Sequence, residues 1–193
     1  MGMIQSYLRV DIETLNNFIA DSSRLEDIVF EQNNTDNESF LDLDKAWEGI
    51  FFLITGQSLA EAVGEEAPLL GILIGPTEID PDQDMGYGPA TYITAEQTKE
   101  IYSAIKDLTK DELSANFDPS RMAEEGIYPD IWEDDENALE YLLDYLDDLK
   151  NFYKKAVENG EAVVMFLSPP KIGAGLGGLV PNNILRPPSS QIK

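Results

Sequence analysis

The sequence predicts an α+β fold in which many helices pack around a small sheet, and three observations carry that prediction. Residues 3–10 and 161–167 have the composition of strands and stand near the two ends of the chain. Between them, most recognisable segments have helical spacing. One of these, LDLDKAWEGIFFLITG at 41–56, is apolar most of the way round, so it needs cover on nearly all sides. The domain is therefore expected to centre on a buried helix at 43–55. A chain of 193 residues with 42% hydrophobic content suffices for one such core.

Taken in order, residues 3–10 read as the first strand, and Ile12, Leu15, Phe18 and Ile19 then share one face of a short helix. Ser23-x-x-Glu26 reads as a capping box for a second helix with Leu25, Ile28 and Val29 on its apolar face, and residues 31–39 as a polar loop. In the central helix Leu43, Ala46, Trp47, Ile50, Phe51 and Ile54 recur at helical spacing. Asp42 or Asp44 is placed to cap its start, and Gly56 to end it in a left-handed conformation. Residues 57–93 are less regular, and 69–74 suit helix or strand equally. Gly86-Tyr87-Gly88-Pro89 forms a bend that presents an aromatic ring before a strand at 90–93.

Three helix starts follow: Thr94-x-x-Gln97, Thr109-x-x-Glu112, and Asp118-Pro119 with proline at the first helical position. Gly126 stops the last of them. Ile127-Tyr128-Pro129-Asp130-Ile131-Trp132 reads as an extended aromatic connector, because proline pushes its predecessor out of helical dihedrals. From 136 to 158 a long amphipathic helix buries Leu139, Leu142, Leu143, Leu146, Leu149, Phe152, Tyr153 and Ala156, with acids at its start and lysines near its end. Gly160 closes it. EAVVMFL at 161–167 is the last strand. The 168–193 segment is a Pro/Gly-rich tail without periodicity, expected to be extended or docked on a neighbouring surface.

Thirteen Lys and Arg against 37 Asp and Glu give a net charge of −24, and there is no histidine or cysteine. Disulfides, thiol nucleophiles, Cys/His zinc sites and imidazole-based triads are thereby excluded. An acidic surface of this size repels nucleic acid and anionic membranes, and it attracts a basic protein partner or cations. No run of apolar residues reaches the length of a membrane span, and the start of the chain does not read as a signal peptide. The expected location is the cytoplasm.

Several stretches resemble a known family: MGMIQSYLRV, LDLDKAW followed by LITG, DMGYGPATYIT, FDPSRM, IYPDIW, and the long helix running into NGEAVVMFL. Together they are similar, in this order, to the YfbM-like family, bacterial proteins classed as a domain of unknown function. The resemblance covers residues 1–167 and leaves out the 168–193 tail. It implies a compact α+β domain and carries over no catalytic residue. Thr91 departs from the family's loop motif, where arginine is usual.

Asp80-x-Asp82-x-Asp84 has the alternation of a calcium loop but lacks its glycine at the sixth position, where Met85 stands, and its closing glutamate, where Thr91 stands. It reads as an acidic turn, and no metal or cofactor is expected. The stripe of Glu140, Asp144 and Asp147 reads as an exposed face. Tyr87, Tyr92, Tyr128 and Trp132, with Asp84, form the candidate binding set, because rigid aromatic rings on Gly- and Pro-held loops make good anchors. Two functions are carried forward. The first is an interaction protein of the inhibitor or immunity type that binds a basic partner. The second is a small-molecule binder or enzyme with an aromatic and carboxylate cleft near Tyr87, Tyr128 and Trp132, using Asp42, Asp44 or Asp84.

Overall fold

Seven consecutive residues, AVVMFLS, form strand β5 (Ala162–Ser168) at the middle of the sheet. In the computed structural model, which describes residues 2–31, 38–62 and 68–170, β5 lies antiparallel between β1 (Ile4–Val10) and β4 (Thr91–Ile93). Most of the 31–39 loop, and the tail beyond Pro170, lie outside the described residues. β2 (Phe40–Asp42) pairs with the outer side of β1 and β3 (Thr77–Glu78) with that of β4, giving the order β2-β1-β5-β4-β3. β5 is apolar along its length because both of its faces are covered. Val163 and Met165, with Tyr7 and Ile93, belong to one core; Val164 and Phe166, with Leu8 and Val10, belong to the other.

The described residues hold eight α-helices, unequally divided between these cores. α1 (Ile12–Ala20) and α2 (Ser23–Glu26) cover the smaller one through Leu15, Phe18 and Leu25. α3 (Trp47–Thr55), α5 (Ala95–Ile105) and α8 (Ala138–Asn159) build the larger, with the short α4 (Leu59–Ala62), α6 (Lys110–Ala115) and α7 (Pro119–Glu124) around them. α3 is the buried helix that its composition demands: Trp47, Ile50, Phe51, Phe52 and Leu53 are all at most 4% exposed, and Gly56 ends it at φ 68°. The capping boxes at Thr94/Gln97 and Thr109/Glu112 are both formed, and Asp118 caps α7 by accepting the Arg121 N–H.

Gly49 lets α3 accept its neighbours closely. A Cβ there would lie 2.6 Å from the Trp132 ring and 2.8 Å from Leu142 on α8. The indole is buried and its Nε1–H donates to the Ile127 carbonyl at 2.7 Å, so the ring satisfies its one polar atom inside the core. Glu48, one residue earlier, accepts the Tyr128 backbone N–H at 3.0 Å. Segment 127–132 is thus clasped to α3 from two sides.

Several local expectations are corrected. The central helix starts at Trp47, not at 43, because Asp44 takes φ 48°, outside the helical region. Neither Asp42 nor Asp44 caps it; Asp42 accepts the Asp44 N–H at 2.7 Å in a turn that follows the unforeseen strand β2. The Ser23/Glu26 box is absent: Ser23 donates to Asp21 at 2.6 Å, and Glu26 accepts from Gln83 at 3.2 Å. Ile12 and Ile19 are 68% and 45% exposed, so α1 buries a narrower stripe than its pattern suggests. Segment 127–132 is a series of turns with a cis Tyr128–Pro129 bond and Asp130 at φ 63°, not an extended connector. On α8, Leu139 and Leu143 are half-buried and flank the sealed stripe.

Three substitutions test this packing. Gly49→Ala adds about 1 kcal/mol of helix propensity, yet the forced retreat of Trp132 and Leu142 should cost more, of order 1–3 kcal/mol. Urea unfolding should show a lowered midpoint, and a raised one would mean the contact yields freely. Trp47→Ala should lose about 3–5 kcal/mol, because its ring is buried and stacks on Tyr128 at 5.6 Å. Tyr87→Ala should change stability by less than about 1 kcal/mol, since that ring is 41% exposed. Comparable losses at both positions would place the Gly-Tyr-Gly loop in the core.

Glu48 supplies a pH-dependent test. Burial pushes its carboxyl above the ordinary glutamate value of 4.5, against the opposing pull of the Tyr128 and Leu59 N–H groups. A folded-state pKa raised above the unfolded one stabilises the protein below the unfolded value, and that contribution is lost as pH rises through the folded value. Glu48→Gln does not titrate. Its stability relative to the parent should therefore increase from about pH 4 toward neutrality in thermal melts, and a pH-independent difference would exclude the effect.

Candidate functional site

A cleft of about 380 Å³ opens where the turn before α3, segment 127–135 and the start of α8 meet the N-terminal residues. Asp44 and Lys45 come from the turn, Tyr128 and Ile131 from the connector, Asp135 from the residues before α8, and Tyr141 from its second turn. Each is set locally. The left-handed Asp44 backbone, a conformation that aspartate tolerates better than most residues, brings its carboxylate to Tyr141, whose hydroxyl donates to Oδ2 at 3.2 Å. Burial and the Asp44 charge push the Tyr141 pKa well above its ordinary value, so the hydroxyl remains a donor. Asp135 uses Oδ1 to accept the Asn137 N–H at 2.9 Å. Tyr128 is half-buried and stacked on Trp47.

The cleft therefore joins two carboxylates to two phenol rings beside one lysine. Carboxylates supply charge and acceptors, and ring faces attract cations through their quadrupole. The cleft's charged side chains are thus two acids and one base. The site offers no cysteine or histidine, since the chain contains none.

The five residues expected to form a binding set are divided by the structure. Tyr87 and Tyr128 come together, but around the N-terminal strand entry: the Tyr87 hydroxyl donates to the Gly2 carbonyl at 3.3 Å, and the Tyr128 hydroxyl accepts the Met3 N–H at 2.8 Å. The space between the GYGPAT and IYPDIW loops is thus occupied by residues 2 and 3. Asp84 holds the Gly-Tyr-Gly bend, accepting the Gly86 and Gly88 N–H groups at 2.8 and 3.3 Å. Tyr92 is a half-buried member of β4, paired with Thr77 and Val164, and Trp132 is sealed under α3. Of the set, only Tyr128 lines the cleft.

Asp80 and Asp82 do not converge on a cation: Asp80 accepts from Ser22 at 2.7 Å and from the Asp82 N–H at 3.0 Å. Among the described residues no group of three or more acidic side chains is arranged to hold a metal ion. Thr91, where the family motif has arginine, accepts the Gly75 N–H at 2.9 Å. Tyr141 was not singled out in the sequence. Its one signal there is an aromatic pair at i, i+4 with Tyr145 on the flank of the leucine stripe; the two rings meet edge to face at 5.1 Å.

A second depression, of about 330 Å³, lies beside β1 and contains Arg9. The guanidinium is buried, pairs with Glu161 at 3.4 Å, donates to the Glu38 carbonyl at 2.7 Å and sits over the Phe152 ring at 5.4 Å. With Asp11 and Glu161 both lining it, this depression has no excess positive charge for an anion. No described helix is long and apolar enough to cross a membrane.

Comparison with known proteins addresses the fold and the family. YfbM from Escherichia coli, a protein of unknown function with a crystal structure, superposes with a TM-score of 0.64 over 84% of this chain and 98% of its own. The two are 20% identical, so the likeness establishes the shared fold alone. No curated protein matches the chain. The profile of one family, described as "Domain of unknown function (DUF1877)", matches residues 1–166. The chain belongs to that family, a YfbM-like domain of unknown function.

Proposed function

We propose that this chain is a protein-interaction domain of the inhibitor or immunity type, and that it binds a basic partner by taking a lysine or arginine side chain into the cleft between Asp44 and Asp135. The observation that carries the reading is the convergence of these carboxylates with the Tyr128 and Tyr141 rings at one concave place on a chain of net charge −24. Overall charge speeds encounter with a basic surface, but it does not select a partner. Selection needs a fixed site in which charge and ring faces meet the ligand together, and the cleft supplies both. Lys45 on its rim disfavours a second cation nearby and so favours a single inserted side chain.

A volume of about 380 Å³ also falls within the range of small-molecule sites, which supports a second reading: a small organic cation bound at the same residues. The two readings differ in what remains after salt is added. A protein partner's affinity includes long-range attraction that about 0.5 M salt screens, whereas a small cation held in the cleft loses less.

The test is titration calorimetry with a short peptide of alternating lysine and glycine. Asp44→Asn with Asp135→Asn should weaken binding by about tenfold or more compared with Glu96→Gln with Glu100→Gln, which removes the same charge from exposed positions of α5. Equal losses in the two variants would mean that the acidic surface attracts the peptide diffusely, and the cleft would have no part in recognition.

A further inference from the structure

Asp44 and Asp135 each reach the cleft with one carboxylate oxygen already in use. Asp44 Oδ2 accepts the Tyr141 hydroxyl at 3.2 Å, and Asp135 Oδ1 accepts the Asn137 N–H at 2.9 Å. Asp44 Oδ1 and Asp135 Oδ2 have no hydrogen-bond partner among the described residues. Lys45, whose Cε would be 2.9 Å from a Cβ at Gly2, pairs with neither carboxylate. The open acceptors therefore come one from each of two segments, the turn before α3 and the residues before α8. The two basic side chains use such acceptors differently. A guanidinium donates through a fixed planar fork, and its advantage over an ammonium is greatest where both oxygens of one carboxylate are open. An ammonium is a compact charge with three donors, which can reach oxygens of separate carboxylates. Volume does not decide between them, because about 380 Å³ admits either.

We propose that the cleft takes lysine in preference to arginine, and that Tyr141 sets this preference as a positioning residue by holding Asp44 Oδ2. The inference rests on the reading of the cleft as a cation-binding site and names the cation it favours. The Tyr141 hydroxyl occupies the oxygen to which the second prong of a fork on Asp44 would donate. Burial and the Asp44 charge keep that hydroxyl protonated, so it remains a donor to this oxygen. At Asp135 the competing donor is a backbone N–H. Ring stacking, the other strength of arginine, is reduced at Tyr128, because Trp47 already covers one face at 5.6 Å. Exposed carboxylates such as Glu96 and Glu100 impose no such limit, so diffuse attraction to the acidic surface gives arginine at least equal affinity. Preference for lysine is therefore a signature of the cleft.

The experiment is calorimetry on the full chain at low salt, with the alternating lysine–glycine peptide and its arginine–glycine counterpart. The parent should bind the lysine peptide about threefold to tenfold more tightly. Tyr141→Phe keeps the ring and its edge-to-face contact with Tyr145 but opens both Asp44 oxygens. The arginine peptide should then gain affinity, and the ratio should fall to about one or below. Tyr102→Phe, which removes a hydroxyl from α5, should keep the parent ratio. Equal affinities in the parent, or tighter binding of the arginine peptide, would overturn the preference, while Asp44→Asn with Asp135→Asn still decides whether the cleft binds cations. A parent-like ratio in Tyr141→Phe, with or without an equal loss for both peptides, would reduce Tyr141 to a structural role and overturn its assignment. Should neither peptide bind the parent, the cleft reading fails and the preference falls with it.

Discussion

The absence of a side chain at Gly49 is the constraint on which the rest of the larger core depends. It lets the Trp132 ring lie against the α3 backbone, and α8 approach it through Leu142. Because Trp132 ends the 127–132 segment, its anchorage fixes where that segment's turns fall, and Glu48 ties the Tyr128 N–H to the same helix. One wall of the cleft is therefore an outcome of core packing, and its geometry is as rigid as the core itself. The opposite wall is fixed by α8, whose Tyr141 reaches across to Asp44.

Charged groups are placed in two different ways in the described structure. Arg9 is enclosed, so it is matched within the protein by Glu161, the Glu38 carbonyl and the Phe152 ring. Asp44 and Asp135 stand at a cleft open to solvent, where water stabilises them. The first arrangement stabilises the junction of β1 with β5; the second leaves its charge facing solvent.

What the sequence made legible was what short-range chemistry decides. The Thr94/Gln97 and Thr109/Glu112 boxes, the Asp118-Pro119 start, and the ends at Gly56 and Gly160 all form as read, since each depends on residues within one turn. α3 and β5 were readable from apolar content too dense for any exposed element. Ser23 and Glu26 failed because nearby Asp21 and distant Gln83 offered competing partners. The start of α3 failed because Asp44 adopts a positive φ that its residue type permits but does not require. The cleft was legible at Tyr128 and, as one of three candidate carboxylates beside it, at Asp44. Residues 44, 135 and 141 come from three separate segments, and nothing in their local spacing reveals that the packing of α3 and α8 brings them together.

The place of β5 in the sheet also governs how the chain comes into being. β1 is made first, but its principal partner is the last strand: Val10 pairs with Ala162 and Ile4 with Ser168. At synthesis rates of roughly 5–20 residues per second, β1 waits on the order of ten to thirty seconds with one edge unpaired. β4 waits as well, and neither core can close until β5 inserts between them. During that interval the nascent chain exposes strand edges and much of α3 while already carrying most of its acidic residues. Mutual repulsion between neighbouring nascent chains then protects a topology whose last step is its most necessary one.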